Sequence, residues 1–237
     1  MIRAAVDLHI HTALSPCAGD DMTPNNIVNM ASLKGLDIIA VADHNSCENL
    51  KAVSGCTSLK GITIVPAMEV QSREEVHLLC YFPNIDSACR VQDAVYGSLP
   101  PLENREDIFG KQLIFDEHDN IKAFSKRMLI AATGLGIEEI FAEVKNVGGV
   151  VVPAHIDRKS FSILSNLGSI PEDLNIKYLE LSRNCEKEGL LKDYPGLSGY
   201  GFIRSSDAHR LCDIFERQSF ISLEEISLEC LMGYLGS

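Results

Sequence analysis

Eight short apolar runs rich in β-branched residues divide the chain, and stretches with helical spacing separate most of them. Alternating strands and helices are typical of a parallel sheet covered by helices. A chain of 237 residues with 46% hydrophobic content can bury one such core. We therefore predict an α/β fold in a single domain over residues 1–237. The predicted strands are AAVDLHI, LDIIAVA, GITIVPAM, EVHLLCY, GGVVVPA, IKYLELS, GYGFIRS and RQSFISL.

Two of the segments between these runs allow more detailed predictions. In MTPNNIVNMASLKG, Thr23 can cap a helix that starts at Pro24 and is closed by Gly35. Residues 84–147 interrupt the alternation of strands and helices with a Pro-Pro turn and a charged stretch. We interpret them as a helical insertion over one mouth of the sheet, with helices in IKAFSKRMLIAAT and GIEEIFAEVKNVGG. The residues predicted to face the sheet from the first helix are Ile27, Met30, Ala31 and the stem of Lys34.

Ionisable side chains end most of the apolar runs or lie within them. Because the carboxyl ends of parallel strands converge at one edge of a sheet, side chains from distant parts of the sequence would meet there. Strand alternation would also place Asp7, His9 and His11 on one face of the first strand. Six of the seven histidines follow this pattern. The side chains concerned are His9, His11, Asp43, His44, Glu69, His77, His155, Asp207 and His209.

A buried group of imidazoles and carboxylates indicates bound metal. A histidine at any one of these positions, taken alone, is more often a structural side chain than a metal ligand. Gathering so many titratable groups without a cation would cost several kcal/mol for each unpaired group. The donor types suit zinc, manganese or iron, and they exceed the needs of one ion, so we predict two or three divalent metal ions. Such ions lower the pKa of bound water, which favours hydrolysis.

The motifs DLHIHTALSPC, IIAVADHNS, PAH and SSDAH, together with Glu69 at a strand end, occur in an order that resembles the PHP (polymerase and histidinol phosphatase) superfamily. The chain is most similar to the small stand-alone metal-dependent phosphoesterases of that group. The resemblance extends from about residue 6 to residue 210, apart from the insertion. It implies a distorted (β/α)7 TIM-like barrel with up to three metal ions at the carboxyl ends of its strands.

The resemblance also implies a role for each motif residue. His9, His11, Glu69 and Asp207 would hold a first ion, and Glu69 would bridge to a second ion on His77 and His155. His44 and His209 would serve a third ion. Relatives complete that third site with a His or Asp where this chain has Cys17, and either Asp20 or Asp21 could replace the thiol. Asp7 and Asp43 fit as partners that orient the histidine ligands.

Charge and composition limit the partners. The net charge of −12 argues against long nucleic acid and anionic membrane surfaces, because both attract positive fields. The start of the chain lacks an apolar signal core, and no run approaches the roughly 20 apolar residues that span a bilayer. The eight cysteines form no CxxC pair, which argues against zinc ribbons. We therefore predict a cytoplasmic location with reduced thiols and no membrane partner.

Several cations follow strands and could anchor a phosphate. The preferred pair is Arg158 and Arg183, because both follow central strands. His118 lies in the insertion and is predicted to be exposed. The other candidates are Lys159, Arg204 and Arg210.

The leading hypothesis is a metal-dependent phosphoesterase that hydrolyses a small phosphorylated metabolite or nucleotide through a metal-bridging hydroxide. Three alternatives remain open. The first is an oligonucleotide 3′-end phosphatase or exonuclease, which the acidic composition disfavours. The second is a non-catalytic metal-binding regulatory module, which missing ligands would indicate. The third is a C–N hydrolase of the amidohydrolase type, which usually has a metal-bridging lysine that is not seen at a strand end here.

Overall fold

A computed structural model describes residues 1–56 and 61–237. The α-helices are α1 Pro24–Leu33, α2 Leu50–Gly55, α3 Ile85–Ser98, α4 Glu106–Phe109, α5 Ile137–Asn146, α6 Ile163–Leu167, α7 Lys187–Asp193 and α8 Leu228–Gly236. The strands are β1 Ile2–Ile10, β2 Ile38–Val41, β3 Thr63–Gln71, β4 His77–Tyr81, β5 Leu113–Phe115, β6 Ile121–Phe124, β7 Val150–Pro153, β8 Tyr178–Leu181, β9 Gly201–Arg204 and β10 Phe220–Leu223. Short 3-10 turns occupy Glu172–Leu174, Pro195–Gly199 and Leu211–Asp213.

Six strands form one curled sheet that makes up half a barrel, in the order β10-β1-β2-β3-β4-β7. β8 and β9 form a separate parallel pair, and a bridge between Ile10 and Ala208 connects the end of β1 to the loop after β9. The mixed α/β, barrel-like architecture agrees with the predicted fold class. The count of seven β/α units stays a prediction.

The prediction of a wholly parallel sheet is wrong for two strands. β1, β2 and β3 run parallel, whereas β4 is antiparallel to both of its neighbours and β10 is antiparallel to β1. The reason for the reversal at β4 is the short connection from β3. Only residues 72–76 separate the two strands, and a parallel crossover needs a dozen or more residues.

The insertion is not wholly helical. Residues 121–124 form β6, which pairs with β5 in an antiparallel hairpin, so the helix predicted in IKAFSKRMLIAAT is wrong. The turn explains the difference, because Asp116 accepts hydrogen bonds from the backbone N–H groups of His118 and Asn120 and so stabilises the reversal. The second predicted helix is confirmed as α5, which buries Ile140 and Val144 on one stripe.

The first helix follows its sequence signals. The Thr23 side chain accepts a hydrogen bond from the backbone N–H of Asn26, Pro24 is the first residue of α1, and Gly35 has a φ of +68° just after the helix. Of the residues predicted to face the sheet, Ile27 and Ala31 are buried, and Met30 and Lys34 are half-buried. Among the described residues, no helix is both long and apolar enough to cross a membrane.

Candidate metal centre

Glu69 is the centre of the cluster. It lies on β3, is buried, and faces imidazoles from several elements. Its Oε1 atom is 2.9 Å from His77 Nδ1, 3.2 Å from His155 Nε2 and 3.4 Å from His9 Nε2. Its Oε2 atom is 2.8 Å from His44 Nδ1 and 3.6 Å from His11 Nε2. One carboxylate therefore meets five imidazoles. Burial raises the pKa of Glu69, but the charges of His77, His9 and His44 outweigh it and hold the pKa well below its usual range.

The reversed direction of β4 delivers His77 to this cluster. His77 is the first residue of β4 and pairs with Gln71, the last residue of β3. In an antiparallel neighbour, the start of one strand lies beside the end of the other. His77 thus reaches the same edge as the ends of β1, β2 and β3, although it begins its own strand.

Asp207 forms a second carboxylate of the cluster, in the loop after β9. Its Oδ1 atom is 3.1 Å from His11 Nε2 and 3.4 Å from His9 Nε2. The ring of His209 stacks on that of His11 with centroids 4.2 Å apart. The structure therefore brings together the six histidines and two carboxylates that the sequence singled out as ligands.

Hydrogen bonds orient His9 on β1 and His11 just after it. His9 Nδ1 lies 3.2 Å from both carboxylate oxygens of Glu180, and His11 Nδ1 lies 2.9 Å from Ser15 Oγ. If each Nδ1 carries a proton toward its partner, each Nε2 exposes a lone pair. The two Nε2 atoms are 3.1 Å apart. Two lone pairs this close repel each other unless a cation or a proton lies between them.

Sequence reasoning missed both of these orienting residues. Glu180 lies on β8, is only 1% exposed, and also accepts a hydrogen bond of 2.9 Å from the backbone N–H of His155. Its signal was present in the run IKYLELS, because a carboxylate inside an apolar strand is rarely buried without a partner. Ser15 gave no comparable signal, since serine is common in loops.

Orphaned polar atoms support a fit to metal ions. Glu69 Oε2 and His155 Nδ1 are buried without a hydrogen bond, and the close approach of His44 to Glu69 Oε2 lacks hydrogen-bonding geometry. A buried polar atom without a partner costs about 1–3 kcal/mol, which a coordinated cation would offset. Three groups of donors have their ligand atoms within 4.8 Å of one another: His9, His11 and Glu69; His44, Glu69 and His77; and His11, His44 and His209. The donors present therefore fit divalent metal ions.

Two of the proposed ligands have strained backbones. His155 has a φ of +29° and Asp207 has a φ of +51°, in the left-handed region that disfavours residues other than glycine. Such conformations cost about 1–3 kcal/mol each and persist where the surrounding structure imposes them. Here the imposed geometry turns His155 toward Glu69 and Asp207 toward His11.

Cys17 lies where the third predicted site needs a ligand. Burial raises the pKa of its thiol, but hydrogen bonds with His209 and His44 outweigh this, and the pKa falls to about 6. The alternative residue Asp20 instead forms an ion pair with Lys111 at 2.7 Å, and Asp21 is exposed. The interaction with His209 and His44 therefore favours Cys17 over either aspartate, although Cys17 is itself exposed and belongs to none of the three donor groups.

The two predicted supporting carboxylates act differently. Asp43 accepts a hydrogen bond of 2.7 Å from Ser15 Oγ, whose oxygen also bonds the ring of His11. Asp43 thus orients a histidine, although through Ser15. Asp7 bonds no imidazole, contrary to the prediction. It accepts the backbone N–H groups of Ser206 and Phe215, both at 2.9 Å, and so fixes the loop that bears Asp207.

Only one of the preferred arginines reaches the cluster. Arg158 Nη2 lies 2.6 Å from Asp207 Oδ2, and its side chain is 45% exposed. Arg183 does not join it, because its guanidinium lies 4.8 Å from the ring centroid of Phe215 and donates to the Asp213 carbonyl. Arg204 donates instead to three backbone carbonyls. His118 lies on the exposed hairpin turn, as predicted.

Comparison with known proteins identifies similar folds. No protein-family profile matches the chain. An uncharacterized protein of Methanocaldococcus jannaschii is 28% identical over 152 residues, which are 64% of this chain and 16% of that protein. The lesion-specific endonuclease PfuEndoQ from Pyrococcus furiosus is 19% identical, with 99% of this chain and 56% of that chain covered at a TM-score of 0.73. The chain thus spans about half of the endonuclease and a smaller part of the curated relative.

Two further solved structures match over most of their length. A protein from Bifidobacterium adolescentis assigned as a metal-dependent phosphoesterase is 19% identical, with 86% of this chain and 87% of that chain covered at a TM-score of 0.55. An amidohydrolase from Chromobacterium violaceum is 15% identical, with 94% of this chain and 93% of that chain covered at a TM-score of 0.61. At these identities the comparisons show a shared fold with metal-dependent hydrolases.

Proposed function

We propose that this chain is a metal-dependent phosphoesterase that hydrolyses a small phosphorylated metabolite or nucleotide. The observation that supports this most strongly is the contact of one buried carboxylate, Glu69, with five imidazoles, beside an arginine at the cluster's exposed rim. Divalent metal ions held there would lower the pKa of water and offset charge on phosphoryl oxygens. The phosphoesterase and the endonuclease that share the fold support the same reaction class.

The ligand roles extend the three donor groups with the other side chains of the cluster. His9, His11, Glu69 and Asp207 would hold one ion, and Glu69, His77 and His155 would hold a second. His44, His209 and Cys17 would hold a third. Zinc, manganese and iron suit these donors. Glu180 and Asp43 would keep the rings of His9 and His11 aimed at the ions.

Arg158 is the residue we assign to the phosphate. Its guanidinium is half exposed and already pairs with Asp207, so it can donate to a phosphoryl oxygen at the edge of the cluster. Its positive charge would position the substrate and stabilise charge that develops on phosphoryl oxygens during cleavage.

The experiment begins with protein stripped of metal and reloaded with zinc, manganese or iron. Elemental analysis would measure bound metal, and p-nitrophenyl phosphate and short nucleotides would report hydrolysis. His9→Ala and Asp207→Ala should lose metal and activity in parallel. His118→Ala is the matched control, because that histidine is exposed and belongs to none of the donor groups. Metal binding without turnover of any phosphate ester would instead favour a regulatory module.

A second candidate is cleavage of phosphodiester bonds in nucleic acid. The specific observation in its favour is the fold shared with an endonuclease, one structure of which holds a duplex substrate with an abasic lesion. The net charge of −12 opposes it for long polymers. Cleavage of bis-p-nitrophenyl phosphate in preference to p-nitrophenyl phosphate would support this candidate. Amide hydrolysis is less favoured, because none of the described residues in contact with Glu69 or Asp207 is a lysine.

A further inference from the structure

An exposed phenylalanine lies against the proposed ligand His77. Phe161 is 43% exposed, and its ring stacks on that of His77 with centroids 5.0 Å apart and an interplanar angle of 23°. Its carbonyl also accepts a hydrogen bond of 2.9 Å from the backbone N–H of His77. A ring that stacks on one side and remains this exposed presents its other surface to solvent at the rim of the cluster.

The backbone of Phe161 is strained. Its φ is +56°, which is a genuine outlier for a bulky residue. Glycine would adopt this conformation without cost. Strain of this kind is typical of positions where the side chain has a task that outweighs its effect on stability.

The segment that bears Phe161 is held firmly. The Arg158 carbonyl accepts a hydrogen bond of 2.7 Å from Ser162 Oγ, and Ser162 caps α6 by accepting the Ser165 N–H. Arg158 itself donates its backbone N–H to the His155 carbonyl at 2.9 Å. One short loop therefore presents a ligand, a cation and an exposed aromatic ring in fixed relation.

We propose that Phe161 is a specificity-determining residue that stacks on a planar ring in the substrate. The inference rests on the proposed function and deepens it. A phosphoryl group placed between the cluster and Arg158 has its ester substituent within reach of the same loop. Flat rings gain from stacking on an aromatic face, whereas saturated rings of equal size gain only from apolar contact. Phosphate esters of aromatic or heteroaromatic compounds are thus the preferred substrate class.

The test uses two phosphonates, which cannot be hydrolysed because their P–C bond replaces the ester. Isothermal titration would measure the binding of phenylphosphonate and cyclohexylphosphonate to metal-loaded protein. The wild type should bind the phenyl compound about two- to tenfold more tightly. Phe161→Leu, which keeps a side chain at the strained position, should bring the ratio of the two dissociation constants close to one. Phe161→Trp should restore the preference.

Phe161→Gly separates specificity from stability. It relieves the left-handed strain but also removes the apolar contact with His77, so its melting temperature should change little, yet its phenyl preference should be lost. Elemental analysis of every variant measures whether the cluster retains its metal. If even Phe161→Trp loses metal, the ring serves only to support His77 and the inference is overturned. If the wild type hydrolyses p-nitrophenyl phosphate but binds the two phosphonates equally well, the inference about Phe161 is overturned and the proposed function stands. Absence of both hydrolysis and phosphonate binding overturns the proposed function as well.

Discussion

Glu180→Gln tests whether buried hydrogen bonding sets the metal affinity of the cluster. Both carboxylate oxygens of Glu180 lie 3.2 Å from His9 Nδ1, and one of them also accepts the backbone N–H of His155 at 2.9 Å. Glutamine has nearly the same shape but only one accepting oxygen and no charge. His9 Nδ1 must therefore lie against an amide NH2 group, which cannot accept a hydrogen bond, in either orientation of the glutamine, and in one orientation the His155 N–H also loses its acceptor.

Two independent estimates give the expected loss of metal affinity. A hydrogen bond to a charged group contributes about 1.5–3 kcal/mol. Loss of the partner that orients a ligating histidine typically lowers metal affinity by about 10- to 100-fold, which corresponds to about 1.4–2.7 kcal/mol. Because these ranges overlap, we expect Glu180→Gln to weaken metal binding by about 10- to 100-fold.

Competition with a chromophoric chelator at pH 7.5 would measure the dissociation constant of the weakest ion. The matched control is Glu188→Gln, the same chemical change at an exposed position on α7. Circular dichroism would show whether the fold is retained. A Glu180→Gln variant that is folded and binds metal as tightly as Glu188→Gln would refute the role assigned to this carboxylate.

Three further predictions test the metal, the core and the third site. Free metal at 100 times its dissociation constant should stabilise the folded protein by about 2.7 kcal/mol. Removing that metal with a chelator should therefore lower the melting temperature by about 5–11 °C. An unchanged melting temperature would argue against resident ions. Tyr81→Phe removes a buried hydrogen bond of 3.0 Å to the Leu8 carbonyl. Urea unfolding should therefore show that the free energy of unfolding falls by about 1–3 kcal/mol, while the amount of bound metal stays the same. Loss of metal in this variant would show that the core and the metal centre are not independent. Cys17, with a thiol pKa of about 6, is a thiolate above that pH, so its alkylation by iodoacetamide in metal-free protein should slow only below pH 6. Bound metal should protect it, as mass spectrometry of the alkylated peptide would show, and equal rates with and without metal would exclude Cys17 as a ligand.

The site was more predictable from sequence than the sheet. His9, His11 and Asp207 come together because any barrel-like sheet gathers the ends of its parallel strands, whatever the details of strand order. His77 was placed correctly for an incomplete reason, since it reaches the cluster at the start of a reversed strand. Which end of a strand reaches the site depends on the direction of that strand. The length of the connection decides the direction, and the apolar pattern does not reveal it.

The misassigned hairpin and the missed Glu180 have different causes. In residues 121–124 all four side chains are exposed, so the apolar pattern gave no strand signal, and a turn that Asp116 stabilises decided the structure. Glu180 was visible in the sequence, but its role depends on contacts with His9, 171 positions away, and His155, 25 positions away. Local spacing cannot reveal such a partner. Whether Arg183 would face the cluster was equally undetermined, because stacking on Phe215 depends on the fold of the last loop.

The connectivity of the cluster sets the order in which it can assemble. Glu69 and His77 belong to one hairpin and are only eight residues apart, so they can meet as soon as β3 and β4 pair. His11 and Asp207 are 196 residues apart, and the ends of the chain must close before they touch. Loop closure over such a distance comes late in folding, because its entropy cost must be met before the contact forms. Binding to the complete donor set should therefore report the final closure of the domain, and a chain that ends before Asp207 should retain the hairpin pair but lack the high-affinity site.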